Sequence, residues 1–185
     1  MKPIITILIL GLMILGSCET RTFQYVSTIT RNLKFTVNQQ GAFNESYTIY
    51  ANDFIDELDL PADAEVVEVY IESFSTAVKP LSGNEASAVK INGYAQADQT
   101  SLFVEDLVVS ISSGSLQFIR MTNLVTTGVQ DIKTALKGFV TVGDPDSITF
   151  RIEGDSDPQP GQTIQVELLI DISVSVAYEI ESEFI

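Results

Sequence analysis

From Ile164 to Ile180 every second residue is apolar: Ile164, Val166, Leu168, Ile170, Ile172, Val174, Val176, Tyr178 and Ile180. The residues between them, among them Gln165, Glu167, Asp171, Ser173, Ser175 and Glu179, are mostly polar. Successive side chains of a strand point to opposite faces, so this pattern buries one face and wets the other. On a helix the same residues would spread around the axis. The segment is therefore a strand of an antiparallel sheet with one face in a core. At about 3.3 Å per residue it would run about 56 Å, against about 20 Å for a typical strand. A bulge, a bend or a switch between sheets is expected near Leu169 to Ser173. Two outcomes stay open: the strand crosses both sheets and is fully paired, or part of it leaves an edge for strand addition to a partner.

The rest of the chain has the same character. Phe23 to Thr30, Leu33 to Val37, Tyr47 to Ala51 and Glu65 to Val78 are rich in β-branched and aromatic residues. Ala88 to Ala97 is expected to partner residues 65–78 across the Pro80 to Asn84 turn. Leu107 to Ser112 and Leu116 to Arg120 flank Ser112-Ser113-Gly114, and Phe139 to Val142 and Ile148 to Ile152 flank Gly143-Asp144-Pro145-Asp146. Turn signals every ten or so residues predict an all-β antiparallel sandwich, immunoglobulin-like in the loose sense. One or two short helices interrupt it. Asn52 or Asp53 can cap a turn through Leu58, with Pro61 beyond. Val125, Val129, Ile132 and Leu136 fall on one helical face, with Thr126 or Thr127 as cap and Gly138 as the end. At 185 residues, without repeats or linkers, one domain is expected.

Composition narrows the chemistry. Histidine and tryptophan are absent, and Cys18 is the single cysteine. Triads built on histidine, histidine-ligated metals and multi-cysteine zinc or iron–sulfur sites are thereby excluded within the chain. With Lys plus Arg at 10 and Asp plus Glu at 25, the formal charge is −15, the wrong sign for a nucleic-acid footprint. No cofactor and no catalysis are expected. Lys79, Lys90, Lys133 and Lys137 show no Ser-x-x-Lys pattern, and the last two line the wet face of the second helix. Asp53, Asp56, Glu57, Asp59, Asp63 and Glu65 lack the spacing of an EF-hand loop and read as capping and solubilising charge. Asp144 and Asp146, with Asp155 and Asp157, resemble the paired acids of calcium loops in β-sandwiches such as C2 domains. A strand over 147–153 would hold the two pairs about 20 Å apart, so they are weak metal candidates and read first as solvated turns.

The N-terminus places the chain. Lys2 precedes an apolar run from Ile4 to Leu15, followed by Gly16-Ser17-Cys18. The run is too short for a typical span and has the form of a secretory signal peptide. Leu15-Gly16-Ser17-Cys18 resembles the lipobox of bacterial envelope lipoproteins at all four positions. That resemblance implies cleavage before Cys18, a diacylglycerol on its sulfur and a third acyl chain on its amine. Several chains hold firmly where one would not, since each buried CH₂ contributes about 0.8 kcal/mol. Residues 1–17 are then the signal, 18–22 a lipidated tether and 23–185 the sandwich. Loss of Lys2 leaves the mature body more acidic still, so lipid rather than surface charge would hold it to the membrane. Glu19, rather than aspartate, after the cysteine leans towards the outer membrane.

The expected function is a non-catalytic, lipid-anchored envelope protein that binds or scaffolds another envelope component. Its specificity would lie in loops away from Cys18, such as Gly143 to Ser147 or Ser82 to Ala86. The alternatives are a lipid or small apolar ligand carrier whose cavity is lined by the 164–180 stripe, and a surface adhesion or fimbria-like subunit. The last rests on architectural similarity to the acidic fimbrial lipoproteins of some gut and oral bacteria.

Overall fold

The computed structural model describes residues 20–95, 100–111 and 117–183. Cys18 and the apolar run before it lie outside these. Two antiparallel sheets face each other. The first contains β1 (Thr20–Gln40), β9 (Thr163–Glu183), β3 (Glu65–Pro80) and β7 (Gln117–Phe118), in that order. The second contains β2 (Phe43–Tyr50), β8 (Ser147–Asp157), β4 (Ala88–Ala95) and β5 (Thr100–Ser101), with β6 (Leu107–Ser110) also on β4. The first strand pairs with the last, the second with the next to last, and so on inward. This is a long antiparallel hairpin rolled into two sheets, a jelly roll. The expected antiparallel sandwich is present, and the pairing refines its immunoglobulin-like description.

The alternating stripe fills the core. Ile164, Val166, Leu168, Ile170, Ile172, Val174 and Val176 are each at most 2% exposed. They join Leu33, Phe35 and Val37 of β1 opposite Ile91, Ile148 and Ile152 of the second sheet. A water-sized void beside these side chains would leave them accessible area, so they do not line the cavity that a carrier would need.

The long strand neither bends out of its sheet nor crosses to the other one. β9 runs unbroken between β1, which pairs with it from Gln40↔Thr163 to Thr20↔Glu183, and β3, which pairs from Pro80↔Val166 to Glu65↔Glu179. The irregularities sit in β3, between Val66 and Glu68 and between Ile71 and Ser73, rather than near Leu169 to Ser173. A strand with neighbours on both sides cannot bulge without breaking two ladders, so the extra residues fall in its neighbour. Other expected pairings also differ. Strands β3 and β4, read from sequence as partners, lie in different sheets. Within the segments on either side of Ser112-Ser113-Gly114, β6 pairs with β4 and β7 with β3.

Two helices pack beside the sheets. α1 (Ala51–Leu58) buries Ala51, Phe54 and Leu58, and α2 (Thr126–Val142) buries Gly128, Ile132, Ala135, Leu136 and Phe139. No side chain caps either start; Tyr50 and Val125 hold the cap positions. At α1 the Ala51 N–H donates instead to the Asp146 carbonyl at 2.9 Å. Phe139 to Val142, expected as a strand, belongs to α2, because Phe139 continues the Ile132–Leu136 face and meets Phe54 edge-on at 5.9 Å. The helix ends at Gly143, whose φ of 68° is left-handed, and not at Gly138. Gly138 is needed for another reason: a Cβ there would sit 2.0 Å from the Asp144 carbonyl oxygen that folds back over it. No helix among the described residues is long and apolar enough to cross a membrane.

Candidate functional site

β1 defines two ends of the molecule. Over its 20 residue steps it carries the chain about 65 Å from Thr20 to Gln40. At the Gln40 end three loops meet: 41–42 after β1, 81–87 between β3 and β4, and 158–162 between β8 and β9. Strands arriving in register place these loops side by side, and polar side chains lace them together. Asn84 accepts the Gln165 N–H at 3.1 Å and donates to the Ala86 carbonyl at 2.7 Å. Glu85 accepts the Thr163 N–H, and Ser87 donates to the Asp157 carbonyl.

Asp155 and Ser156, at the end of β8, hold the third loop in place. One carboxylate oxygen of Asp155 accepts the N–H groups of Ser156 at 2.7 Å and Gly161 at 3.1 Å. The buried Ser156 hydroxyl donates to the Gln159 carbonyl and accepts the Gln162 N–H. The Gly161 N–H, followed by the bonds from Ser156, holds the Asp155 carboxyl below the ordinary aspartate value of 3.8.

The rim continues onto the outer face of the second sheet. The polar positions of β4 and β8 face water there because their alternates face the core. A cleft of about 430 Å³ is lined by Asn44, Lys90, Asn92, Asp106, Glu153 and Asp155, among others. Tyr94 donates to Glu153 at 2.7 Å, which raises the tyrosine hydroxyl above its usual range, and the Arg151 guanidinium lies 4.7 Å from the Tyr94 ring centre. Lys90 and Asp106 approach to 3.7 Å, and Asn92 accepts the Asp106 N–H at 2.9 Å. Each carboxylate faces a fixed donor. The surface thus presents hydrogen-bonding groups held in place by their neighbours.

The four acids considered for calcium are not brought together. Asp144 and Asp146 follow α2, whereas Asp155 and Asp157 lie within β8 and not in a loop. Eight strand residues, or nine steps, separate Asp146 from Asp155, about 30 Å. No three acids among the described residues form a metal-ligating group. The two loops expected to lie away from Cys18 are also split. Residues 82–86 are at the Gln40 end, but 143–147 are at the other, where Asp146 meets α1 and Ser147 pairs with Tyr50. Nor do Lys133 and Lys137 only line a wet face. They approach Glu68 at 3.5 and 3.7 Å, and Lys137 also donates to the Val67 carbonyl, tying α2 to β3. The Val69 N–H, with these two lysines, holds the Glu68 carboxyl below its ordinary 4.5. Of the cleft residues only Lys90 and Asp155 stand out in the sequence. The alternation of Lys90, Asn92 and Tyr94, and of Arg151, Glu153 and Asp155, marks two wet faces without showing that they adjoin.

No family model matches the chain, and no curated protein does. Among solved structures it is similar to the decameric BFDV capsid protein, at 11% identity over 86% of this chain and 98% of that one, with a TM-score of 0.37. A structure of infectious bursal disease virus, Gx strain, is 9% identical over 88% of this chain and 38% of the other, with a TM-score of 0.32. Turnip yellow mosaic virus gives 14%, 85%, 82% and 0.31 in the same order. At these scores the likeness adds nothing to the strand order described above.

Proposed function

We propose that this protein is a non-catalytic bacterial lipoprotein, anchored in the cell envelope through acylated Cys18, that binds or scaffolds another envelope protein. One observation carries the reading: the only cysteine closes Leu15-Gly16-Ser17-Cys18 directly after a short apolar run. The acidic body gives anionic lipid no electrostatic hold, which makes the acyl chains the anchor. The outer membrane is the proposed location. The loop rim and the polar cleft, about 65 Å from the tether end, are the surface proposed to meet the partner. The packed stripe from Ile164 to Val176 weighs against the carrier alternative.

Gentle detergent extraction of the tagged, lipidated protein from its own envelope, followed by mass spectrometry, tests this. The expected result is a stoichiometric protein partner that is lost, by about tenfold or more, from the Asn92→Ala, Glu153→Ala variant. A monomer carrying no protein, with or without bound lipid, would overturn the scaffold reading.

A further inference from the structure

The first sheet is longer than the body that covers it. Towards the Thr20 end the Ser27 hydroxyl donates to the Leu58 carbonyl of α1 at 3.0 Å, and residues 22–26 before it are exposed. Beyond that point β1 continues to Thr20 and β9 to Glu183. The face that carries Ile29, Leu33 and Phe35 inside the body goes on to carry Tyr25 opposite Tyr178 and Phe23 opposite Ile180. The two tyrosine rings stack at 5.7 Å. Tyr25 is 46% exposed and Phe23 39%, although their positions in the alternation are core positions. The opposite face of the same ribbon carries Thr22 against Glu181 and Gln24 against Glu179, with Glu65 on β3 beside it.

What lies within reach of this strip follows from the chain before it. Only Glu19 separates Cys18 from the first residue of β1. Five residues, fully extended, span at most about 18 Å, so Phe23 stays within that distance of the acylated residue. An apolar, tyrosine-bearing strip held this close to headgroups meets lipid before any other apolar surface, and tyrosine suits that boundary because its ring is apolar and its hydroxyl wet. The charge on the two faces sets the orientation: anionic headgroups repel the glutamate face and leave the aromatic face to turn towards the bilayer.

We propose that the end of the β1–β9 ribbon rests in the bilayer interface, with Phe23, Tyr25, Tyr178 and Ile180 as its contact face. The lipid anchor then acts as a seated foot and not as a flexible leash. This inference rests on the lipoprotein reading above.

The absence of native tryptophan makes the test clean. Tyr25→Trp and, as a control in the second sheet, Val108→Trp (51% exposed, in β6) are introduced into the full lipidated protein. Each is reconstituted in phosphatidylcholine–phosphatidylglycerol vesicles with and without dibrominated acyl chains, and the mass of the N-terminal peptide is measured in parallel. The expected result is a blue-shifted Tyr25→Trp emission that loses about half its intensity to the brominated chains, with Val108→Trp unaffected. An acylated peptide with Tyr25→Trp unquenched overturns the seated foot and leaves the anchor standing. Blue-shifted emission that resists bromine and reddens on dilution assigns the strip to a second copy, and also overturns it. A peptide without acyl chains removes both readings together.

Discussion

Asp155 shows how a residue that looks like a ligand can be spent on the fold. Its carboxylate gathers N–H groups from Ser156 and Gly161, groups that the turn after β8 would otherwise leave unpaired. Asp155→Ala should cost about 1–2 kcal/mol in a urea titration at pH 7. Because its folded value is depressed, the contribution is fully present above the ordinary aspartate value of 3.8 and is lost as pH falls through the lower folded value. The wild type should therefore lose more stability between pH 5 and pH 3 than Asp155→Asn does, and equal losses would show that this carboxylate is not the cause. Gly154, the preceding residue, is fixed by close approach. A Cβ there would lie 2.0 Å from the Lys90 carbonyl oxygen and 2.8 Å from the Phe43 ring. Gly154→Ala should part β4 from β8 and lower stability by about 1–3 kcal/mol, read as a fall in the thermal midpoint. The sequence singles out Asp155 but not Gly154, because a glycine in a strand has no local signature of what passes over it.

At the scale of elements, α2 records a contest between propensity and burial. Phe139 to Val142 is a short β-prone run, and read locally it belongs in a strand. Phe139 nevertheless sits two turns beyond Ile132 and one beyond Leu136 and is 1% exposed against Phe54, so tertiary packing keeps it helical. Phe139→Ala should cost about 3–5 kcal/mol in calorimetry. Lys133→Ala, which removes a partly exposed pair with Glu68 and a contact 5.6 Å from the Tyr70 ring centre, should cost far less. A Phe139→Ala penalty no larger than that of Lys133→Ala would mean that α2 does not depend on this contact. β9 was legible because its alternation survives for nine apolar positions, more than any helix tolerates. Its bulged neighbour was not, since Val66 to Ser73 carries the irregularity without a glycine or proline to announce it.

For the molecule as a whole, the proposed arrangement is polar: lipid at the Thr20 end, partner at the Gln40 end, and a rigid three-strand ribbon between them. Cys18→Ala should block acylation and cleavage together, leaving a larger precursor held by its uncut signal, visible by intact mass and by gel mobility. Normal mature protein from that variant would sink the anchor. The surface proposed for a partner was legible only in pieces. Residues 82–86 and 143–147 look equivalent in sequence, both polar and rich in turn formers, yet β8 runs between the levels of Asp157 and Ser147 and sends them to opposite ends.

What the sequence by itself determined is local: which residues alternate and where chain direction must reverse. Backbone geometry ties each of these to a few neighbouring residues, so no distant partner is needed to read them. Which strand lies beside which was decided only by the tertiary structure. Every strand here has one apolar face, and each would bury it against several others. Only the full set of strands closing around one core makes β1 the neighbour of β9 and parts β3 from β4.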